Sequence, residues 1–347
     1  MQTDKVNPGI TLDGLQNELA YLEGSVNSDI GLFKVQSANQ WIEAAKNRPI
    51  PKMLFSEFWF ESELCILFAD TNLGKSILAV QIGDSISRGV AIPGFKIATG
   101  AQKVLYFDFE LSDKQFEVRY SNDYKEHYLF SADFRRAEIS ADAILPEQYS
   151  NAEDYLNDSF EQVIKETGAK ILIIDNLTYL KNETEKAKDA LPLMKHLKAL
   201  KTKYGLSILA LAHTPKRDLT KPITRNDLQG SKMLISFCDS AFAIGESTAD
   251  GSIRYLKQVK QRNTEAIYDA DNVCVCQISK PFNFLQFEFM DSGTEREHLK
   301  QPTDTDKQNR LAEVLELKKQ GLPNTEIAKK YGVSESAVRK WLKNIKD

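Results

Sequence analysis

The stretch LCILFADTNLGKSILAVQIG at residues 64–83 constrains this chain more than any other. The apolar run from Leu64 to Phe68 predicts a buried strand, and the amphipathic run from Ile77 to Ile86 predicts a helix. Between them, Ala69 is followed by four residues and then Gly74-Lys75-Ser76. Strand, phosphate-sized loop and helix, in that order, are the setting of a P-loop. Backbone N–H groups and the helix N-terminus of such a loop hold phosphate oxygens. The expected nucleotide-binding residues are Ala69, Asp70, Thr71, Asn72, Leu73, Gly74, Lys75, Ser76 and Ile77, with ATP and Mg²⁺ as the cofactors. Lys75 is expected to reach the β- and γ-phosphates, and the Ser76 hydroxyl to sit on the metal. The usual opening glycine is replaced by Ala69, so that position needs a backbone conformation open to a residue with a Cβ.

The chain has 347 residues, room for one large domain and a small one. No run approaches the roughly 20 apolar residues of a membrane span. The start, MQTDKVNPGITLDG, lacks the basic-then-apolar pattern of a signal peptide. Cys65, Cys238, Cys274 and Cys276 have no metal-binding spacing, so they are expected as buried thiols in a reducing cytoplasm. The net charge of −4 does not advertise nucleic-acid binding, but it is unevenly spread. From Lys318 onward eight Lys/Arg stand against three Asp/Glu, a balance of +5 that leaves −9 for the rest. A basic tail on an acidic body implies a separate task for the tail.

Residues 1–50 are polar, with helical patterns around Leu12–Leu22 and Ala38–Ala45 and no legible role. From 51 to 290, strand-like segments at 64–69, 103–109, 170–175 and 206–212 alternate with helix-like ones at about 75–88, 113–125, 152–167 and 186–203. That alternation predicts an α/β fold with a mostly parallel sheet covered on both faces. Further strand-like runs at 239–245, 252–260, 272–279 and 283–289 predict antiparallel strands that extend one side. Residues 291–307 (DSGTEREHLKQPTDTDK) read as a polar linker. Helical pattern resumes over 308–347, which is expected to be a small all-α domain.

Three strand-like runs end in groups with chemistry to offer. KILIIDNL places Asp175 at the C-terminal end of a buried strand, where ligands bind in open α/β sheets. There it is the natural second anchor for Mg²⁺, through water. VLYFDFEL ends in Glu110, which either caps the following helix or polarises an attacking water. Asp108 stands one alternation further back and is the weaker candidate base. SILALAHTPK ends in His213, a hydrogen-bonding group suited to sensing a γ-phosphate. The segment after it carries Lys216, Arg217, Lys221 and Arg225, and a solvated loop and a DNA-contacting loop fit it equally. In RYLKQVKQRN, Lys260 and Arg262 share one side of a strand and its end. They are either solvated or reach a neighbouring subunit's nucleotide as a finger.

The order P-loop, strand-Glu, strand-Asp, strand-His and Lys-x-Arg strand resembles the RecA-like ATPase core, within it the RepA/DnaB hexameric helicase and KaiC-type group. The resemblance covers about residues 50–290. It implies Glu110 as the catalytic carboxylate with Arg119 following it, Asp175 in the second nucleotide motif, and His213 on the sensor strand. Lys260 and Arg262 fall on the finger strand. It also implies Mg²⁺-dependent ATP hydrolysis and a homo-oligomeric ring, often a hexamer, with ATP between subunits. The function implied is a RepA-like DNA helicase or translocating motor, serving replication of a plasmid or another mobile element. An ATP-switched DNA-binding regulator is the other reading. The tail LPNTEIAKKYGVSESAVRKWLKNI resembles a helix-turn-helix. Small Ala328 lets two helices approach, and Gly332 permits the turn. Its second helix is expected to begin after Ser334 and to offer Arg339, Lys340 and Lys343 to DNA.

Overall fold

The computed structural model describes residues 28–140, 142–177, 190–215, 217–228, 231–301, 304–331 and 333–343. It divides into two compact units, Met1–Pro51 and Lys52–Asp347. The helical pattern at Leu12–Leu22 lies outside the described residues. In the first unit, strands β1 (Ser28–Ile30) and β2 (Phe33–Val35) pair antiparallel and helix α1 (Ala38–Lys46) follows. The Ser37 hydroxyl accepts from the Gln40 backbone while Gln40 accepts from the Ser37 backbone, a capping box that fixes the start of α1.

The second unit is built on a sheet of nine strands. After a short pair, β3 (Met53–Phe55) and β4 (Trp59–Phe60), come β5 (Leu64–Ala69), helix α2 (Lys75–Arg88) and β6 (Val104–Asp108). Helix α3 (Asp113–Arg119), a two-stranded ribbon of β7 (Ser121–Asn122) and β8 (Glu126–His127), and β9 (Phe134–Ala137) follow. Helix α4 (Ala152–Thr167), β10 (Ile171–Asp175), α5 (Ala190–Tyr204) and β11 (Ser207–His213) continue the alternation. Then come α6 (Ser231–Phe237), β12 (Ser240–Glu246), β13 (Ile253–Lys260), β14 (Val273–Ser279), β15 (Gln286–Gly293) and the one-turn α7 (Glu295–His298). The sheet order is β15-β14-β13-β12-β5-β11-β10-β6-β9. The six strands from β12 to β9 are parallel, and β13, β14 and β15 add an antiparallel flank as expected.

Both faces of the sheet are buried, which is why its central strands read as continuous apolar runs. Cys65, Leu67, Tyr106, Ile173 and Leu211 face α2, while Leu64, Ile66, Leu105, Leu172 and Ile208 face the layer of α4 and α5. Gly83 on α2 sits so close to the sheet that a Cβ there would lie 2.5 Å from the Phe134 ring. The edge strand β9 was not legible, because FRRA shows no apolar alternation.

Two expectations are corrected here. Helix α3 ends at Arg119 rather than near 125, because the β7–β8 ribbon starts at once. The segment 291–307 is not a linker throughout. Strand β15 runs to Gly293, and Glu295 is 1 % exposed against Lys257 of β13. Its carboxylate also accepts from the Ile223 N–H at 2.6 Å and the Tyr255 hydroxyl at 3.2 Å. Helices α8 (Asp304–Lys319), α9 (Asn324–Tyr331) and α10 (Glu335–Lys343) close the chain around Val314, Ile327, Ala328 and Val338.

Candidate active site

Strand parity and register bring the site together. Ala69, Asp108, Asp175 and His213 all end their strands with the same parity as residues facing α2. Asp175 pairs with Asp108, and His213 with Ala69. Three side chains with chemistry to offer, Asp108, Asp175 and His213, therefore share one face with Ala69 at the C-terminal edge of the parallel strands, beside the start of α2.

The P-loop itself is shaped by its short polar residues. Ala69 is a regular, buried strand residue with no positive φ, so its Cβ is accommodated. The Asp70 carboxylate accepts from the Thr71 N–H at 2.7 Å, and Asn72 takes a left-handed φ of 63°, which asparagine tolerates well. Gly74 has φ 92°, and a Cβ there would meet the Ile278 side chain at 2.8 Å. Glycine is thus required on two counts. Ser76 lies in the first turn of α2.

Lys75 is 6 % exposed, and its ammonium donates to the Ala69 carbonyl at 3.1 Å and the Asp70 carbonyl at 3.0 Å. Its third contact is Nδ1 of His213 at 3.2 Å. A charged lysine has only protons to give, so Nδ1 accepts and Nε2 carries the ring proton. Nε2 lies 3.2 Å from Oε1 of Glu110, and the Asn176 amide donates to the same oxygen. Lys75, His213 and Glu110 thus form one hydrogen-bonded line. Burial pulls the Lys75 ammonium below its ordinary value, against the pull of Asp175 and Glu110. The hydrogen bond from His213 holds the Glu110 carboxyl below its ordinary value against partial burial, so it is ionised at neutral pH.

Asp108 has a different task. Its Oδ1 accepts from the Leu111 N–H at 2.9 Å and the Glu110 N–H at 3.2 Å, and its Oδ2 accepts from Arg136 at 2.9 Å. It shapes the turn that carries Glu110, and its charge is matched by arginine. Asp175 is fully buried, and burial lifts its carboxyl to about 6. Its Oδ2 accepts from the Tyr106 hydroxyl at 2.6 Å. Its Oδ1 is buried without a bonded partner, although the Ser76 hydroxyl lies near enough to draw the carboxyl down. A buried carboxylate oxygen without a donor, next to a hydroxyl, suits a hard dication. Ser76 and Asp175 fit Mg²⁺. These are two positions, and Mg²⁺ ordinarily keeps waters and takes phosphate oxygens for the rest of its shell.

Lys260 and Arg262 are not in this cluster. Lys260 pairs with Ala241 at the N-terminal end of β12, the edge opposite the P-loop. The six residues of β5 separate the two edges, roughly 17–20 Å. Lys260 donates to the carbonyls of Ile235 and Cys238, where it holds the end of α6. Arg262 is half-exposed and pairs with Asp239 at 3.2 Å. Arg119 is half-buried, and its charge helps to lower the Glu110 carboxyl.

Of the loop cations, Lys216 lies outside the described residues. Arg217 is corrected as a DNA contact: its side chain is 7 % exposed, paired with Asp227 at 3.4 Å and donating to the Lys221 carbonyl at 2.7 Å. On α10, Arg339, Lys340 and Lys343 are exposed, and Arg339 pairs with Glu335. Gly332 lies outside the described residues. Asn176, Tyr106 and Arg136 were missed. Asn176 was legible by adjacency to Asp175, whereas Arg136 sits on the unrecognised β9.

Residues 33–218, more than half of the chain, match the family model described as AAA domain. Residues 304–347 match a homeodomain-like domain. Among curated proteins none matches the sequence. Among solved structures, a KaiC-like protein from the hyperthermophilic archaeon Pyrococcus horikoshii is similar at 13 % identity, over 66 % of this chain and 91 % of that one, with a TM-score of 0.44. The chain belongs to the AAA domain family, as a P-loop ATPase built on a mostly parallel α/β sheet with a homeodomain-like helical domain at residues 304–347.

Proposed function

We propose that this ATPase acts on DNA, as a RepA-like helicase or translocating motor assembled in a ring. The observation that supports it most is the line Lys75–His213–Glu110 at the P-loop, in one chain with a basic helix-turn-helix. Glu110 is ionised and can accept a hydrogen bond from a water near the γ-phosphate position, then its proton. His213 and Asn176 fix the carboxylate oxygen, so Glu110 is oriented before substrate arrives. Lys75 is the cation for the β- and γ-phosphate oxygens, and the N-terminus of α2 adds its dipole. Mg²⁺, when bound at Ser76 and Asp175, supplies charge neutralisation to the phosphates.

The edge position of Arg262 excludes it from its own subunit's P-loop and fits a finger acting on a neighbour. Its exposed pair with Asp239 is worth about 0–1 kcal/mol and is easily exchanged for a phosphate contact. Lys260, tied to two backbone carbonyls, serves the fold first. A motor of this kind would serve replication of a plasmid or another mobile element.

A second reading, an ATP-switched DNA-binding regulator, draws on the clasp between Glu295 and the loop that follows His213. Strand displacement assays separate the two. The test of the main reading is ATP turnover with and without DNA. Wild type is expected to hydrolyse ATP faster with DNA, and Lys75→Ala to lose turnover in both conditions. Turnover in Lys75→Ala at the wild-type rate sinks the nucleotide assignment, and indifference of the wild type to DNA sinks the DNA-acting part.

A further inference from the structure

We propose that the cleft between the loop at 217–227 and the helix-turn-helix is a binding site for a single strand of nucleic acid, separate from the outward face of α10. The inference rests on the DNA-acting reading and names which form of nucleic acid this part of the chain takes. The cleft has a volume of about 1130 Å³, larger than the roughly 300–1,000 Å³ of small-molecule pockets. A segment of polymer suits that space better than a metabolite.

Its lining has the two elements that hold an unpaired strand, cations for the backbone and a ring for the bases. Lys221, Lys300, Arg310, Lys329 and Lys330 bring positive charge, whereas Arg217, buried against Asp227, only braces the wall. Three acids share the lining, and each is already engaged. Asp227 pairs with Arg217, Glu313 accepts from the Tyr331 hydroxyl at 2.7 Å, and Asp218 accepts from Thr220. Lys329 and Lys330 are exposed and form no ion pair among the described residues. They are the groups best placed to meet phosphates.

The ring is Trp341. The Arg310 guanidinium lies 5.7 Å from its centroid, and Tyr331 meets it edge-on at 6.0 Å. Only unpaired bases can stack there, because bases in a duplex already stack on one another. At 100° per residue, Trp341 is about 60° from the buried Val338 around α10, whereas Arg339, Lys340 and Lys343 are about 100–160° from it. The cleft and the face that carries Arg339, Lys340 and Lys343 therefore lie on different sides of one helix. The cleft's other wall begins four residues after His213, and its Leu219 carbonyl accepts from the Lys300 N–H at 3.0 Å. A strand in the cleft would press on a loop continuous with the ATP site.

The test uses the full chain and a labelled oligothymidylate of about a dozen nucleotides, within the usual size of a strand-binding site. Lys329→Glu with Lys330→Glu is expected to weaken binding at least tenfold and to make its salt dependence shallower, by about 0.7 in log–log slope per lost phosphate contact. Lys329→Arg with Lys330→Arg keeps the charge and is expected to keep the affinity, which separates a lost contact from a misfolded tail. Arg339→Ala with Lys340→Ala is expected to weaken binding to a duplex more than to the oligonucleotide. Wild-type oligonucleotide affinity in the Glu pair overturns the cleft assignment, as does equal binding of a polyglutamate peptide at the same site. If the wild type binds duplex but not the oligonucleotide, the cleft falls and the DNA-acting reading stands. If it binds neither, both fall.

Discussion

At the level of single residues, two neighbouring carboxylates have opposite surroundings and should fail in opposite ways. Glu110 is partly exposed, ionised and positioned by His213 and Asn176. Glu110→Gln is expected to bind ATP as the wild type does and to lose about 10²–10⁴ in turnover, the usual worth of a general base. Asp108 is 2 % exposed and tied to Arg136 and two backbone N–H groups. Asp108→Asn is expected to lower the denaturant midpoint, because it removes the buried one of the three carboxylates that face Arg136 and leaves only the more exposed Asp113 and Glu138. Near-normal turnover in Glu110→Gln would move the base elsewhere. Glu110, Asp175 and His213 were all legible because each ends an apolar run, and strand ends on one sheet edge converge in space. Their partners were less so. Nothing in FRRA announces that Arg136 meets Asp108, since that contact depends on a parallel pairing between β6 and β9. Arg217 was misread for a related reason: a loop position does not tell that a cation is buried against Asp227.

At the level of elements, the turn α7 is the clearest case of a segment whose place is set by a distant partner. Its composition is polar, so it reads as a linker, yet Glu295 is buried against Lys257 some forty residues earlier. Glu295→Leu leaves Lys257 buried without its carboxylate, keeping only the Ile223 carbonyl, and breaking such a pair costs about 3–5 kcal/mol. The double change Lys257→Met with Glu295→Leu is expected to recover most of that loss. Urea midpoints of the three variants decide it, and an additive double mutant would show that the pair is not coupled. The start of β5 gives a second test. Glu63 is 1 % exposed and accepts from Ser240 at 2.7 Å and Asn263 at 2.7 Å. Burial raises its carboxyl above the ordinary 4.5 despite those bonds. A raised carboxyl favours the protonated folded state, so its stability contribution is full below about 4.5 and is lost as pH rises through the raised value. Glu63→Gln is expected to remove this dependence. The stability of the wild type relative to Glu63→Gln should therefore fall with rising pH across that window, and a pH-independent difference overturns the assignment.

At the level of the whole molecule, the question is whether the two edges of the sheet meet across subunits. Lys75 and Glu110 stand at one edge, and Arg262 at the other, roughly 17–20 Å away along β5. One chain cannot bring its own Arg262 to its own P-loop without breaking the sheet. The sequence showed the residue types but not this separation, because a strand's direction in the sheet is set by pairing and not by its own pattern. If Arg262 serves a neighbour, Arg262→Ala is expected to bind ATP normally and to turn over slowly, since such a finger is worth about 10³–10⁵ in rate. Lys75→Ala is also expected to be inactive, from the other side of the shared site. Mixed together, the two mutants form some interfaces in which an intact Arg262 faces an intact P-loop. Activity is therefore expected to return in the mixture, rising to a maximum near equal proportions and falling toward either pure mutant. The measurement is turnover across mixing ratios, with co-assembly confirmed by mass. No recovery at any ratio, with mixed assemblies present, excludes a finger acting between subunits and returns Arg262 to its pair with Asp239.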